Sequence, residues 1–191
     1  MALSAVGCCE QLADAKAGVT PVEFRARGPT GLKVPGLYSW WVDPAGAADL
    51  STGLGLPLGP GLIYAGLAGA TRWPSGRPSS NTLWSRISGM HLGARHEFST
   101  FRRTLGSILA DARQEPTIDE ARLTTWMNDH LEVIAVPFDD ADTLGRLEEA
   151  VLERLDPPLN LQGMDKTPIR GRLRELRRPH ARKTVTRARS T

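Results

Sequence analysis

The sequence predicts a mixed α/β (α+β) fold with the element order strand, strand, three helices, strand, helix. Three observations carry that reading. Residues 36–42 and 61–66 are dense apolar and aromatic runs with no helical pattern between them, so they pair as an antiparallel hairpin with a long connection. Residues 81–130 carry helical periodicity and helix-starting signals instead. A third extended run, 131–138, leads into an amphipathic segment that ends at Leu155. Apolar residues make up 40% of the 191-residue chain, enough for one core.

Taken in order, residues 4–17 read as a short helix stopped by Gly18 and Pro21. Residues 19–35 are mixed and carry Arg25, Arg27 and Lys33. In the first strand Leu37, Ser39 and Trp41 face one side, and Tyr38, Trp40 and Val42 the other. Residues 43–60 are rich in glycine and proline and read as a loop. Strict alternation in the second strand puts Tyr64 on a face with Leu62 and Gly66. Residues 70–81 form another loop, with Arg72 and Arg77. Asn81 caps a helix through His91, and 98–112 is helical with Phe101, Leu105, Ile108 and Leu109 on one side. Thr117 and Glu120 have capping-box spacing and start a helix to His130. Asp139 or Asp140 caps the last helix.

Charge divides the chain. Residues 1–165 hold 14 basic and 20 acidic side chains, and residues 166–191 hold ten basic and one acidic. The tail therefore reads as an arm for a polyanion, because each phosphate contact releases counterions. Removing everything after Met164 is expected to weaken such binding and leave the core folded. Arg170, Arg172, Arg174, Arg177 and Arg178 are its candidate contacts, joined by Arg72, Arg77, His91, Arg102 and Arg103 in the body. Arg102 and Arg103 are expected on a solvated helix face. The chain has no run of about 18 apolar residues, so no membrane-spanning helix is expected. The start has neither the basic region nor the apolar core of a signal peptide. Adjacent cysteines, Cys8 and Cys9, bridge badly and have no partners at metal-ligand spacing, which suits a reducing cytoplasm.

One carboxylate is out of place. At about 100° per residue with Leu144 at zero, Leu147, Val151 and Leu155 form one stripe, and Glu148 falls inside it near 40°. Glu149 and Glu153 fall on the opposite side. A carboxylate on an apolar face costs several kcal/mol unless it is paired or bound to a cation. Arg86 borders the inner face of its own helix, where an arginine snorkels, pairs or clamps a phosphate.

Gly36-Leu37-Tyr38 and Tyr64-Ala65-Gly66, followed by Arg86, Glu148 and, after Pro157-Pro158-Leu159, Asn160, resemble the GIY-YIG nucleases. The resemblance implies a small three-stranded antiparallel sheet flanked by helices, spanning 34–165, with a helical insertion at about 96–130, an N-terminal extension at 1–33 and the basic tail at 166–191. It implies metal-dependent phosphodiester hydrolysis with one divalent ion per site, Mg²⁺ or Mn²⁺, held by Glu148; together with the basic tail it reads as a DNA endonuclease, with DNA favoured over RNA, the alternatives being an RNA-cutting toxin or defence effector and a catalytically inactive nucleic-acid-binding module. Tyr38 would take a proton from the attacking water and Tyr64 would orient the phosphate or a metal-bound water. Arg86 would stabilise transition-state charge, and Asn160 would hold the site together. Many relatives have a lysine after the second motif; Leu67 stands there. One site cuts one strand, so duplex cleavage needs a homodimer or two successive events.

Overall fold

A computed structural model describes residues 4–72 and 75–181. Three strands form an antiparallel sheet: β1 (Gly36–Val42), β2 (Gly61–Ala68) and, beyond a two-residue ribbon of β3 (Thr71–Arg72) and β4 (Arg77–Pro78), β5 (Leu131–Pro137). The strand order is β2-β1-β5, so the first motif strand is central and the second lies on an edge. Tyr38 pairs with Gly66, and Trp40 with Tyr64. A bulge follows, and Trp41 pairs with Leu62. The bulge breaks the expected alternation: Leu62 lies across from Trp41, whereas Ile63 joins the core on which Tyr64 packs.

Among the described residues seven α-helices surround the sheet: α1 (Ala5–Leu12), α2 (Pro21–Arg27), α3 (Pro44–Leu54), α4 (Thr100–Ala112), α5 (Glu120–His130), α6 (Leu144–Leu155) and α7 (Pro168–Arg177). One face of the sheet meets α1 and α6, where Cys8, Cys9 and Leu12 pack with Leu37, Ile134, Leu144, Leu147 and Val151. The two cysteines are unbridged core residues. The other face carries the larger core, in which Trp40, Leu50, Ile63, Phe101, Leu105, Met127 and Leu173 are buried. No helix among the described residues is long and apolar enough to cross a membrane.

Three helices occupy stretches read as irregular or as a solvated arm. α2 opens with a capping box between Thr20 and Glu23 and with Pro21 in its first turn. α3 replaces the expected loop: Asp43 caps it, Pro44 begins it and Gly55 ends it. Its glycines serve packing, since a Cβ on Gly53 would lie 2.0 Å from the Ile108 carbonyl oxygen of α4. α7 replaces the first part of the free arm. Leu173 and Leu176 are buried, and α7 packs on α4. Cutting after Met164 would strip apolar surface from the core, so the expectation of an intact core after that cut is overturned. Arg182, Lys183, Arg187 and Arg189 lie outside the described residues.

Boundaries shift where other side chains cap better. Thr82 and Ser85 exchange hydrogen bonds at the start of the Arg86 helix, in place of Asn81. Asp119 caps α5, accepting from the backbone N–H groups of Ala121 and Arg122 at 3.0 Å, in place of Thr117. Asp140 accepts from Asp142 and Thr143 in a turn that precedes α6.

Candidate active site

Strand β2 is an edge strand, and the way its edge is closed builds the site. Ala65 and Leu67 direct their backbone groups away from β1. The Asn160 side chain fills the Ala65 position like a backbone unit: its Oδ1 accepts from the Ala65 N–H at 3.0 Å and its Nδ2 donates to the Ala65 carbonyl at 2.8 Å. The Leu159 N–H donates to the Ile63 carbonyl at 3.0 Å. Two residues further along β2, the Leu67 N–H donates to the carboxylate of Glu148. An exposed strand edge invites unwanted pairing, and here two polar side chains and a loop N–H cover it.

Glu148 is half-buried on α6, whereas Glu149 and Glu153 are exposed, as the helical angles require. Burial pushes its pKa up to about 7, against the pull of the Leu67 N–H and Arg86. It makes no ion pair among the described residues. It opens with Tyr64, Asn160, Thr100 and Arg177 onto a cleft of about 990 Å³.

The tyrosines face each other across β1 and β2, with ring centroids 6.5 Å apart. Gly66 makes room for this: a Cβ there would lie 2.6 Å from the Tyr38 hydroxyl. Tyr38 is only 2% exposed, while Tyr64 is partly exposed and lines the cleft. Tyr64 is thus the phenol at the cleft wall, and Tyr38 sits behind it. Burial raises both pKa values, and the neighbouring tyrosine adds to the rise at Tyr38, Glu148 to that at Tyr64. Arg86 opposes both shifts.

His91 occupies a position that sequence alone does not reveal. It is 2% exposed, so it is not a surface contact for nucleic acid. Its Nε2 shares a hydrogen bond of 2.8 Å with the Tyr38 hydroxyl, and its Nδ1 one of 2.7 Å with Ser99 Oγ. Burial, reinforced by Arg86, lowers its pKa to about 3, which keeps the imidazole neutral. α-Helical spacing would put Arg86 and His91 on opposite margins. The segment Ser85–His91 is instead a π-helix, closed by the Leu92 N–H donating to the Ile87 carbonyl at 2.9 Å. Bonding five residues back brings residues five apart to one face. Phe101 of α4 then packs on Tyr64, Trp40 and His91. The segment expected as an insertion therefore supplies a wall of the site.

The other basic candidates separate sharply. Arg102 is not on a solvated face: it is 0% exposed, with Nε donating to Glu120 at 2.8 Å and Nη2 to the Glu120 carbonyl and Thr124. Arg170 is 1% exposed and donates to the carbonyls of Asn160, Pro157 and Asp165 and to Asp156. It holds the Asn160 loop and is not a free contact. Arg172 pairs with Asp111 and Glu175. Arg77, Arg174 and Arg178 are exposed. The side chain of Arg72 lies outside the described set. Arg177 lines the cleft, and Arg103 has a buried Nε with no partner among the described residues.

The model of the GIY-YIG catalytic domain family matches residues 36–179. The chain belongs to the GIY-YIG catalytic domain family. The match runs from the first motif strand through α7, taking in the α4–α5 segment. It indicates a nuclease-type activity and hence a nucleic-acid substrate; GIY-YIG nucleases typically use divalent metal ions. A search of curated proteins and a search of solved structures each found no match. A half-buried carboxylate with a raised pKa, one N–H donor and a wet cleft in front suits a hard cation that keeps most of its waters. The one His and carboxylate trio among the described residues, His96, Glu97 and Glu120, does not include Glu148. Its glutamates are already held by Arg95, Arg102 and His96 itself.

Proposed function

We propose that this chain is a metal-dependent DNA endonuclease that hydrolyses phosphodiester bonds in restriction, defence or repair. The observation that carries the proposal is Glu148: a half-buried carboxylate with no ion pair among the described residues, pinned by the edge of β2 and facing the same cleft as Tyr64 and Asn160. Glu148 would hold Mg²⁺ or Mn²⁺, which when bound neutralises phosphate charge and makes water more acidic. Arg86 meets the charge that builds on the phosphate in the transition state. Asn160 keeps β2 and the Pro157–Asn160 turn in register. The free cysteines suit a cytoplasmic setting.

Proton removal from the attacking water falls to Tyr64. Tyr64 meets the cleft, Tyr38 is hydrogen-bonded to Tyr64, and His91 stands behind Tyr38. A phenol with a raised pKa accepts a proton only as it releases its own. Tyr64 therefore takes the water's proton as it gives its own to solvent in the cleft, while His91, kept neutral by burial, holds the Tyr38 hydroxyl behind it.

The test is incubation of the full chain with Mg²⁺ and with single-stranded, duplex and branched DNA, and with total RNA. The account expects metal-dependent cutting of DNA that Glu148→Ala removes. Cutting of RNA alone would replace the substrate. Binding to all of these with turnover of none would make the chain an inactive nucleic-acid module, the outcome that Leu67 in place of the usual lysine would then explain.

A further inference from the structure

Every buried polar side chain needs a partner, and an unpaired buried guanidinium costs several kcal/mol. This protein meets that requirement fully at Arg102 and Arg170. Besides Arg86, whose buried Nε also has no partner among the described residues, two other partly buried arginines are left without it. Arg177 comes from the last turn of α7, lines the catalytic cleft beside Tyr64, and makes no hydrogen bond or ion pair among the described residues. Arg103 comes from α4, where it lies one turn beyond Thr100, another residue lining the cleft, and its Nε is buried without a partner among the described residues. α4 and α7 pack together, which brings Arg103 close to Arg177 behind the cleft wall. Their mutual repulsion, added to burial, lowers the pKa of Arg177.

We propose that Arg103 and Arg177 form a phosphate subsite that takes a backbone phosphate next to the one being cut. A phosphate diester supplies what both side chains lack: one negative charge with oxygens that match the guanidinium fork. The two walls of the cleft support the assignment. α6 presents the exposed carboxylates Glu149 and Glu153, which repel a polyanion, and α7 presents Arg177 on the side of Tyr64. The strand would thus lie along the Tyr64 and Arg177 wall, with the α6 carboxylates beside it. This assignment rests on the nuclease reading for the identity of the strand, and on the arginines themselves for the anion.

The experiment has two arms, both with the full chain carrying Glu148→Gln so that nothing is cut. In the first, binding of a duplex oligodeoxynucleotide is measured against salt for Arg103→Leu, Arg177→Leu and the double variant. Each single variant is expected to lower the slope of log K against log salt by about one and affinity about tenfold or more. The double variant is expected to lower the slope no further, because one phosphate is shared. Unchanged slopes in both single variants would overturn the proposal. In the second arm, inorganic phosphate is expected to raise the melting temperature of the parent and to lose that effect in the variants. An equal rise in all would overturn it. Arg177→Leu, at the cleft wall, keeps the test readable should Arg103→Leu fail to fold. If the wild-type chain cuts nothing while the phosphate arm succeeds, the nuclease reading falls and the anion site stands.

Discussion

Arg102 and Arg103 are neighbours in sequence and opposites in chemistry. Arg102 points into the junction of α4 and α5, where Glu120 and Thr124 occupy its fork. Arg103 lies close to Arg177 of α7, and its buried Nε has no partner among the described residues. The contrast extends to the whole molecule. At the α4–α5 junction and under the Asn160 loop, ionic groups are completed by protein partners. Around the cleft, Arg86, Arg103, Arg177 and Glu148 have no ion partner among the described residues. A protein tolerates incomplete groups together where a ligand completes them, so incompleteness marks the site more sharply than charge does.

The largest effect expected from this contrast is on turnover at Arg86. Arg86→Ala should cut cleavage about 100- to 1,000-fold, as losing a transition-state donor does, and weaken DNA binding far less. The fold should hold, because no ion pair is broken. Equal losses of binding and cleavage would refute the clamp. Arg102→Leu should do the reverse. It leaves Glu120 with only His96 and should cost about 3–5 kcal/mol of stability, read by chemical denaturation. Its activity per folded molecule should stay near wild type. Unaltered stability would erase the distinction between the two classes of arginine.

A smaller effect is expected from Glu148 on stability. Its folded pKa, about 7, lies above the ordinary carboxylate value of 4.5. The folded state therefore binds the proton more tightly than the unfolded one. Stability is highest below about pH 4.5, falls as pH rises through about 7, and stays reduced above that. Glu148→Gln removes this penalty and should stabilise the metal-free protein by about 1–2 kcal/mol at pH 8, after discounting for partial exposure. At pH 4 it should change little. A stabilisation that is the same at both pH values would show that Glu148 is not strained by ionisation.

Much of the fold was legible, and the reasons are local. β1 was readable to the residue because Gly36 and Asp43 bracket a dense aromatic and aliphatic run broken only by Ser39. Glu148 was readable because α6 is a regular helix, so the angle between it and Glu149 was fixed by sequence. α3 was not legible, since its prolines and glycines mark a helix start, a helix end and a close helix contact, and the same residues mark loops. His91 was not legible because a π-turn changes which residues share a face, and no residue in Ser85–His91 announces one. α7 was hidden by its charge: Leu173 and Leu176 are two apolar residues among arginines. Arg102 and Arg103 could not be separated from sequence at all, because only the position of α5 and its Glu120 distinguishes them.

The most direct measurement compares two adjacent carboxylates. Single-turnover cleavage of duplex DNA with Mg²⁺ should be measured for Glu148→Gln and Glu149→Gln at equal folded fraction. The account predicts that Glu148→Gln loses at least about a thousandfold in rate, while Glu149→Gln stays within about threefold of wild type. Equal rates for the two variants, or cleavage by Glu148→Gln near the wild-type rate, would contradict it.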